Sequence, residues 1–225
     1  MKGKVKNMKL FNVTMQTIKD FDNIVKAANE TFAETKKKVM ETYKEPIAAE
    51  KIREAREALT EVHIRETQKA SHAVQEDFYG VRSKVNEVVT ASAPVDFAAT
   101  LAAIQAKGRN VTDYEANAYI EKYKNNYLAF STLLDVLHQA GKAVDVIAYK
   151  PDAIEARISE IEKMVLNWIQ CHASSNDDGY ITAILMDDNH SLIMKLAVEV
   201  QAFMDGGYIL GDDGAGQMVA ALDVM

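Results

Sequence analysis

Residues 11–42 read FNVTMQTIKDFDNIVKAANETFAETKKKVMET, and the spacing of apolar side chains in this stretch decides the fold class. Phe11, Ile18, Val25, Phe32 and Val39 recur every seven residues. Phe21 and Ala28 fill companion positions, and Thr14, Thr35 and Thr42 occupy the remaining ones. Apolar residues at alternating three- and four-residue spacing share one helix face, and a heptad sustained over four to five repeats marks a seam that packs on another helix. The spacing predicts one helix over residues 9–44, a rod of roughly 54 Å at 1.5 Å per residue. Threonine softens the seam without breaking its period.

The next segment opens at Pro46, where a missing amide proton suits the first turn of a new helix. Ile52, Ala55, Leu59 and Val62 make one stripe, and Val74, Phe78, Val81, Val85 and Val88 make a second. The polar run from Glu66 to Ala73 separates them. Glu54, Glu57 and Glu61 alternate with Arg53, Arg56 and Arg65, pairs that support an exposed helix face by a few tenths of a kcal/mol each, on the order of 0.2–0.5. Glu45-Pro46 leaves room only for a short turn, so residues 1–91 are expected to form a long, coiled-coil-like antiparallel hairpin.

Residues 92–225 read as an acidic helical bundle. A short alanine-rich helix spans about Val95 to Lys107 and stops at Gly108. Thr112-Asp113-Tyr114-Glu115 is a capping box, and the helix it starts is expected to continue to Ala140 on the seam Ala116, Ile120, Tyr123, Tyr127, Phe130, Leu134 and Leu137. After Pro151, a stripe of Ile154, Ile158, Ile161, Val165, Trp168 and His172 runs to a polar loop at 174–179. Tyr180 to Met186 is a short apolar run that fits strand or helix, and a helix capped by Asp188 or Ser191 is expected to reach Met204. The remainder, with its Gly211–Gly216 run, reads as a flexible Gly/Asp-rich tail. The fold class is all-α, a long hairpin followed by a bundle, with little or no β structure.

Composition narrows the function. Of 225 residues, 48% are hydrophobic and 26% charged, an ordinary globular balance, and no run of 18 apolar residues offers a membrane span. The first ten residues carry four lysines without an apolar stretch behind them, which argues against a secretory signal. One cysteine excludes an internal disulfide framework and suits a reducing compartment. Residues 1–90 hold 17 basic against 14 acidic side chains, and residues 91–225 hold 9 against 19, a split that suggests contact between the halves or between copies. The only basic clusters, Lys2/Lys4/Lys6/Lys9 and Lys36-Lys37-Lys38, fall short of a nucleic-acid surface.

No constellation for catalysis stands out. There is no P-loop, no nucleophile elbow and no pair of zinc-binding histidines four apart. Asp135-x-x-His138 and Asp187-x-x-His190 lack the glutamates of a di-iron bundle. Cys171 and His172, being adjacent, point about 100° apart on a helix, and Cys171 is expected to be a buried thiol. The turn at 174–185 is similar in part to an EF-hand calcium loop: Ser174, Asn176 and Asp178 stand at the first, third and fifth positions and Tyr180 at the carbonyl position. Leu185 replaces the bidentate glutamate, so no metal is expected and these four residues are weak candidates only.

These observations predict a non-enzymatic helical assembly protein that self-associates or scaffolds a larger particle, with no cofactor and no membrane. Bacteriophage virion-assembly proteins are similar at the level of fold class. The interface candidates are Phe11, Ile18, Val25 and Phe32 of the hairpin seam, together with Tyr119 beside the third segment's seam. The partner is a second copy or another protein, and the location is cytoplasmic, or within a virion for a viral protein. The alternative is a regulatory binding module that uses the calcium-loop-like turn.

Overall fold

The computed structural model describes residues 10–144, 146–148, 150–174, 179–206 and 208–210. It is an all-α protein: seven α-helices, one short 3-10 turn and two three-residue strands make up its regular elements among the described residues. No helix there is long and apolar enough to cross a membrane. Contacts divide the chain into two compact units, neither of them a continuous segment. One combines Phe11–Gly80 with Ser159–Met194; the other contains Val81–Ile158 and the described residues from Lys195 onward.

The first unit is built on the hairpin. Helix α1 (Asn12–Thr42) and helix α2 (Ile47–Thr90) flank a turn at residues 43–46. Thr14 meets Asp77, and Phe21 and Ile24 line a cleft with Glu66 and Ala70, which is the register of an antiparallel pair folded at that turn. Parts of helix α6 (Pro151–Ser174) and helix α7 (Gly179–Gly206) complete the unit. Its core holds Phe11, Ile18, Phe21 and Val25 of α1, Val74 and Phe78 of α2, Ile161, Val165, Trp168 and Ile169 of α6, and Ile193 of α7. The boundary expected at 91 lies beyond the point, between Gly80 and Val81, where α2 passes from one unit to the other.

The start of α1 shows how tertiary contacts override local capping. Phe11, at the cap position, takes a left-handed conformation (φ 60°) that bulky side chains avoid, and its side chain caps nothing. It is held there by packing, fully buried with its ring 4.8 Å from that of Phe78. The cap comes from 63 residues away: both the amide and the hydroxyl of Thr14 donate to Asp77 Oδ2 at 2.8 Å.

Gly80 sits inside α2, where an added Cβ would meet nothing within 4 Å. Glycine in a helix interior costs about 0.5–1 kcal/mol relative to alanine, mainly through chain entropy. Gly80→Ala is therefore expected to stabilise the protein by that amount, seen as a raised midpoint in thermal denaturation.

The second unit packs helix α3 (Phe97–Lys107), helix α4 (Asp113–Tyr123) and helix α5 (Tyr127–Gln139) around Phe97, Ile104, Ile120, Tyr123, Phe130 and Leu137. The Tyr123 hydroxyl is 2.7 Å from Thr100 Oγ1, so this buried phenol keeps a partner. The expected capping box forms: Thr112 accepts from the Glu115 amide and Glu115 reaches back to Thr112. The Lys107 ammonium first, then those Thr112 contacts, hold the Glu115 carboxyl down at about 2. Gly108 (φ 51°) and Gly141 (φ 77°) follow α3 and α5 in positive-φ conformations open to glycine.

Three expectations need correction. The helix expected to run unbroken to Ala140 is two helices, because Asn126 accepts from the Ala129 amide at 2.9 Å and starts a new one while its Nδ2 donates to the Ser92 carbonyl. An asparagine that satisfies orphan amides outcompetes helix continuation. The ambiguous run at 180–186 belongs to α7, which is one helix from Gly179 rather than a late one capped at 188 or 191. Beyond α7, Tyr208–Leu210 (β2) pairs antiparallel with Val146–Ala148 (β1), a small ribbon. The Gly211–Gly216 run and the lysine arm at 2–9 lie outside the described residues.

Candidate functional site

The first unit contains two arrangements of functional interest, a buried polar cluster and a seam whose cover changes along its length. The cluster is built on α6. Its apolar stripe predicts an inward face that ends in Trp168 and His172, four residues apart and so one above the other. The rings stack with centroids 4.7 Å apart and an interplanar angle of 15°. Phe21 of α1 closes the side, 6.0 Å edge-on from Trp168 and 5.8 Å from His172. His172 is only 5% exposed, as is Asp22 beside it.

Asp22 divides its carboxylate between two partners. Oδ1 lies 2.9 Å from His172 Nε2, and Oδ2 lies 2.7 Å from Nζ of Lys26, one helical turn on. Burial is the largest influence on His172 and lowers its proton affinity below the ordinary histidine value. Asp22 pulls the other way, while Lys26 and His63 add to the lowering. Trp168 Nε1 is buried without an acceptor among the described residues. Among the described residues the cluster joins a base to a carboxylate, and Cys171 stands apart from them: it is exposed, contrary to expectation, because its position turns it about 100° away from the buried stripe. Among the described residues no group of three or more His, Cys, Asp or Glu side chains is arranged to hold a metal.

The seam residues fall into two classes. Phe11, Ile18 and Val25 are buried within the chain, so they present no strip to a second copy; Phe78 of α2 packs on Phe11, and Ile193 of α7 lies beside Ile18. Phe32 is half-buried, as are Thr35 on α1 and Ile52, Ala55, Leu59 and Val62 on α2. Near the turn Val39 and Ala48 are buried again, whereas Met40 and Ile47 are 64% and 55% exposed. Tyr119 is half-buried against the core of the second unit. A groove at the start of α1 sets Met15, Ile18 and Ile193 against Lys19 and His190, a mixed lining.

Of the weak metal candidates, Ser174 ends α6 and Tyr180 lies in the first turn of α7, while Asn176 and Asp178 lie outside the described residues. His72 and His138 are exposed, and His72 Nε2 lies 3.4 Å from Glu76. Compared with protein-family models, with curated proteins and with solved structures, the chain matches none.

Proposed function

We propose that the protein is a non-enzymatic helical assembly component that pairs with a second copy through the distal half of its N-terminal hairpin, as a building unit of a larger particle. The observation that carries this reading is the change in cover along one continuous heptad. The seam is buried from Phe11 to Val25, where α6 and α7 lie against it, and half-buried from Ala28 to Thr35 and from Ile52 to Val62. From Lys26 to Thr42, α1 extends about 25 Å. Two helices alone cover only part of each other's apolar stripe, and four helices close it. A second hairpin laid on the first would supply for the distal seam what α6 and α7 supply at the base.

Charge supports a self-complementary contact. Residues 28–62 carry eight acidic and seven basic side chains, many already paired along the helix, as in Glu50–Arg53–Glu57 and Lys51–Glu54. Two such faces meet without net repulsion.

Light scattering on the full chain is expected to give a mass of two copies or a multiple of it, and to keep that mass as salt rises from about 0.05 to 0.5 M, since burial of apolar area is not screened. Phe32→Asp with Leu59→Asp places charges on the half-buried seam and is expected to lower the mass with helical content retained. A monomeric parent chain, or a double variant of unchanged mass, would defeat the proposal.

A further inference from the structure

We propose that Asp22, Trp168 and His172 form a pH-sensitive latch, closed on α1 while the His172 ring is neutral and released when it takes up a second proton. The reading is independent of self-association, since none of these residues belongs to the distal seam.

The geometry suits a neutral imidazole. His172 is enclosed by aromatic faces, with Trp168 stacked on it at 4.7 Å and Phe21 against its side at 5.8 Å. Its Nε2 lies 2.9 Å from Asp22 Oδ1. Both ring nitrogens are buried, so a second proton on either would sit inside the packed cluster.

Whether that proton is welcome depends on opposing groups. The Asp22 carboxylate and the face of the Trp168 indole both favour a cation. Against them stand the loss of hydration around a ring 5% exposed, the Lys26 ammonium already bound at 2.7 Å to the other Asp22 oxygen, and, more weakly, the charge that His63 of α2 can carry. Among the described residues, Asp22, Lys26 and His63 exert the largest electrostatic influences on His172. Burial, the largest influence, prevails and holds the histidine below its ordinary value of 6.5.

The consequence for stability has a fixed sign. A histidine with lowered proton affinity in the folded state binds fewer protons than the same residue in the unfolded chain. Its contribution to stability is complete above pH 6.5 and is lost as pH falls through the lower folded value. Acidification therefore loosens α6 from α1 at the cluster.

Trp168 is the one tryptophan in the sequence and touches His172, so its emission reports the latch directly. In a titration of the full-length protein from pH 8 to pH 5, emission is expected to change reversibly, with a midpoint below 6.5. His172→Gln keeps a neutral polar side chain at the site and is expected to abolish that transition. Lys26→Gln alters a side chain half exposed to solvent and removes a repelling charge, so the midpoint is expected to move up; His63→Gln is expected to do the same. A histidine that merely fills space would leave those midpoints where they are. Emission that stays flat from pH 8 to 5, a transition that persists in His172→Gln, or a midpoint unmoved by both Lys26→Gln and His63→Gln would each overturn the latch. Should His172→Gln fail to fold, the Lys26→Gln midpoint decides the matter.

Discussion

Phe21→Ala is expected to destabilise the first unit by about 3–5 kcal/mol, the range for deleting a buried phenylalanine that its surroundings cannot fill. The ring is 2% exposed and touches both Trp168 and His172. Its loss removes aromatic contacts worth about 0.5–1.5 kcal/mol beyond their area. It also opens a route for water to a cluster whose electrostatics rely on exclusion of water. A loss of this size is a large part of the roughly 5–15 kcal/mol that stabilises an ordinary domain. Urea denaturation followed by Trp168 emission measures it, and a cost below about 1 kcal/mol would show that the cluster is not closely packed. The corresponding change at Phe32, half-buried on the same heptad, is expected to cost much less in the isolated chain, since less area is covered there.

Asp77→Ala carries the second large effect. Thr14 is fully buried, and its amide and hydroxyl donate to the same carboxylate oxygen. Alanine at 77 leaves two donors at the start of α1 without an acceptor, at about 1–3 kcal/mol for each buried group left unsatisfied. No local cap is in reserve, because Phe11 occupies the cap position with no side-chain oxygen to offer. The loss is expected to total about 2–4 kcal/mol, with Asp77→Asn intermediate because its carbonyl oxygen still accepts. Amide exchange in the first turn of α1 is expected to quicken more than exchange elsewhere in the helix. Uniform loss of protection, or none, would show that Asp77 does not hold this helix end.

Much of the local architecture is written in short sequence intervals. The heptad from Phe11 to Val39 and the position of Pro46 are enough for a long helical hairpin, because helix period and proline chemistry act over a few residues. The Thr112–Glu115 box and the positive-φ glycines at 108 and 141 are equally local, and they lie where sequence places helix ends. The break at 124–126 was missed for a related reason: the apolar period runs through it unchanged, and the asparagine that interrupts it gains part of its advantage from the Ser92 carbonyl, 34 residues away.

The functional cluster was legible only in fragments. His172 on an apolar stripe one turn after Trp168, and Asp22 beside Phe21, are polar residues at inward-facing positions, and each alone is an ordinary seam or surface side chain. Their meeting joins residues 150 positions apart, 22 and 172, a pairing on which helical period is silent. The interface expectation diverged for the same reason. Sequence by itself established that the strip Phe11–Ile18–Val25–Phe32 is apolar and must be covered, because water will not solvate it favourably. Which part would be covered by the chain itself was a tertiary decision: Phe78 of α2 packs on Phe11, parts of α6 and α7 lie beside Phe21 and Ile18, and Phe32 is left half-buried. The hydrophobic effect prescribes burial without naming the partner, and only the folded path of the chain does that.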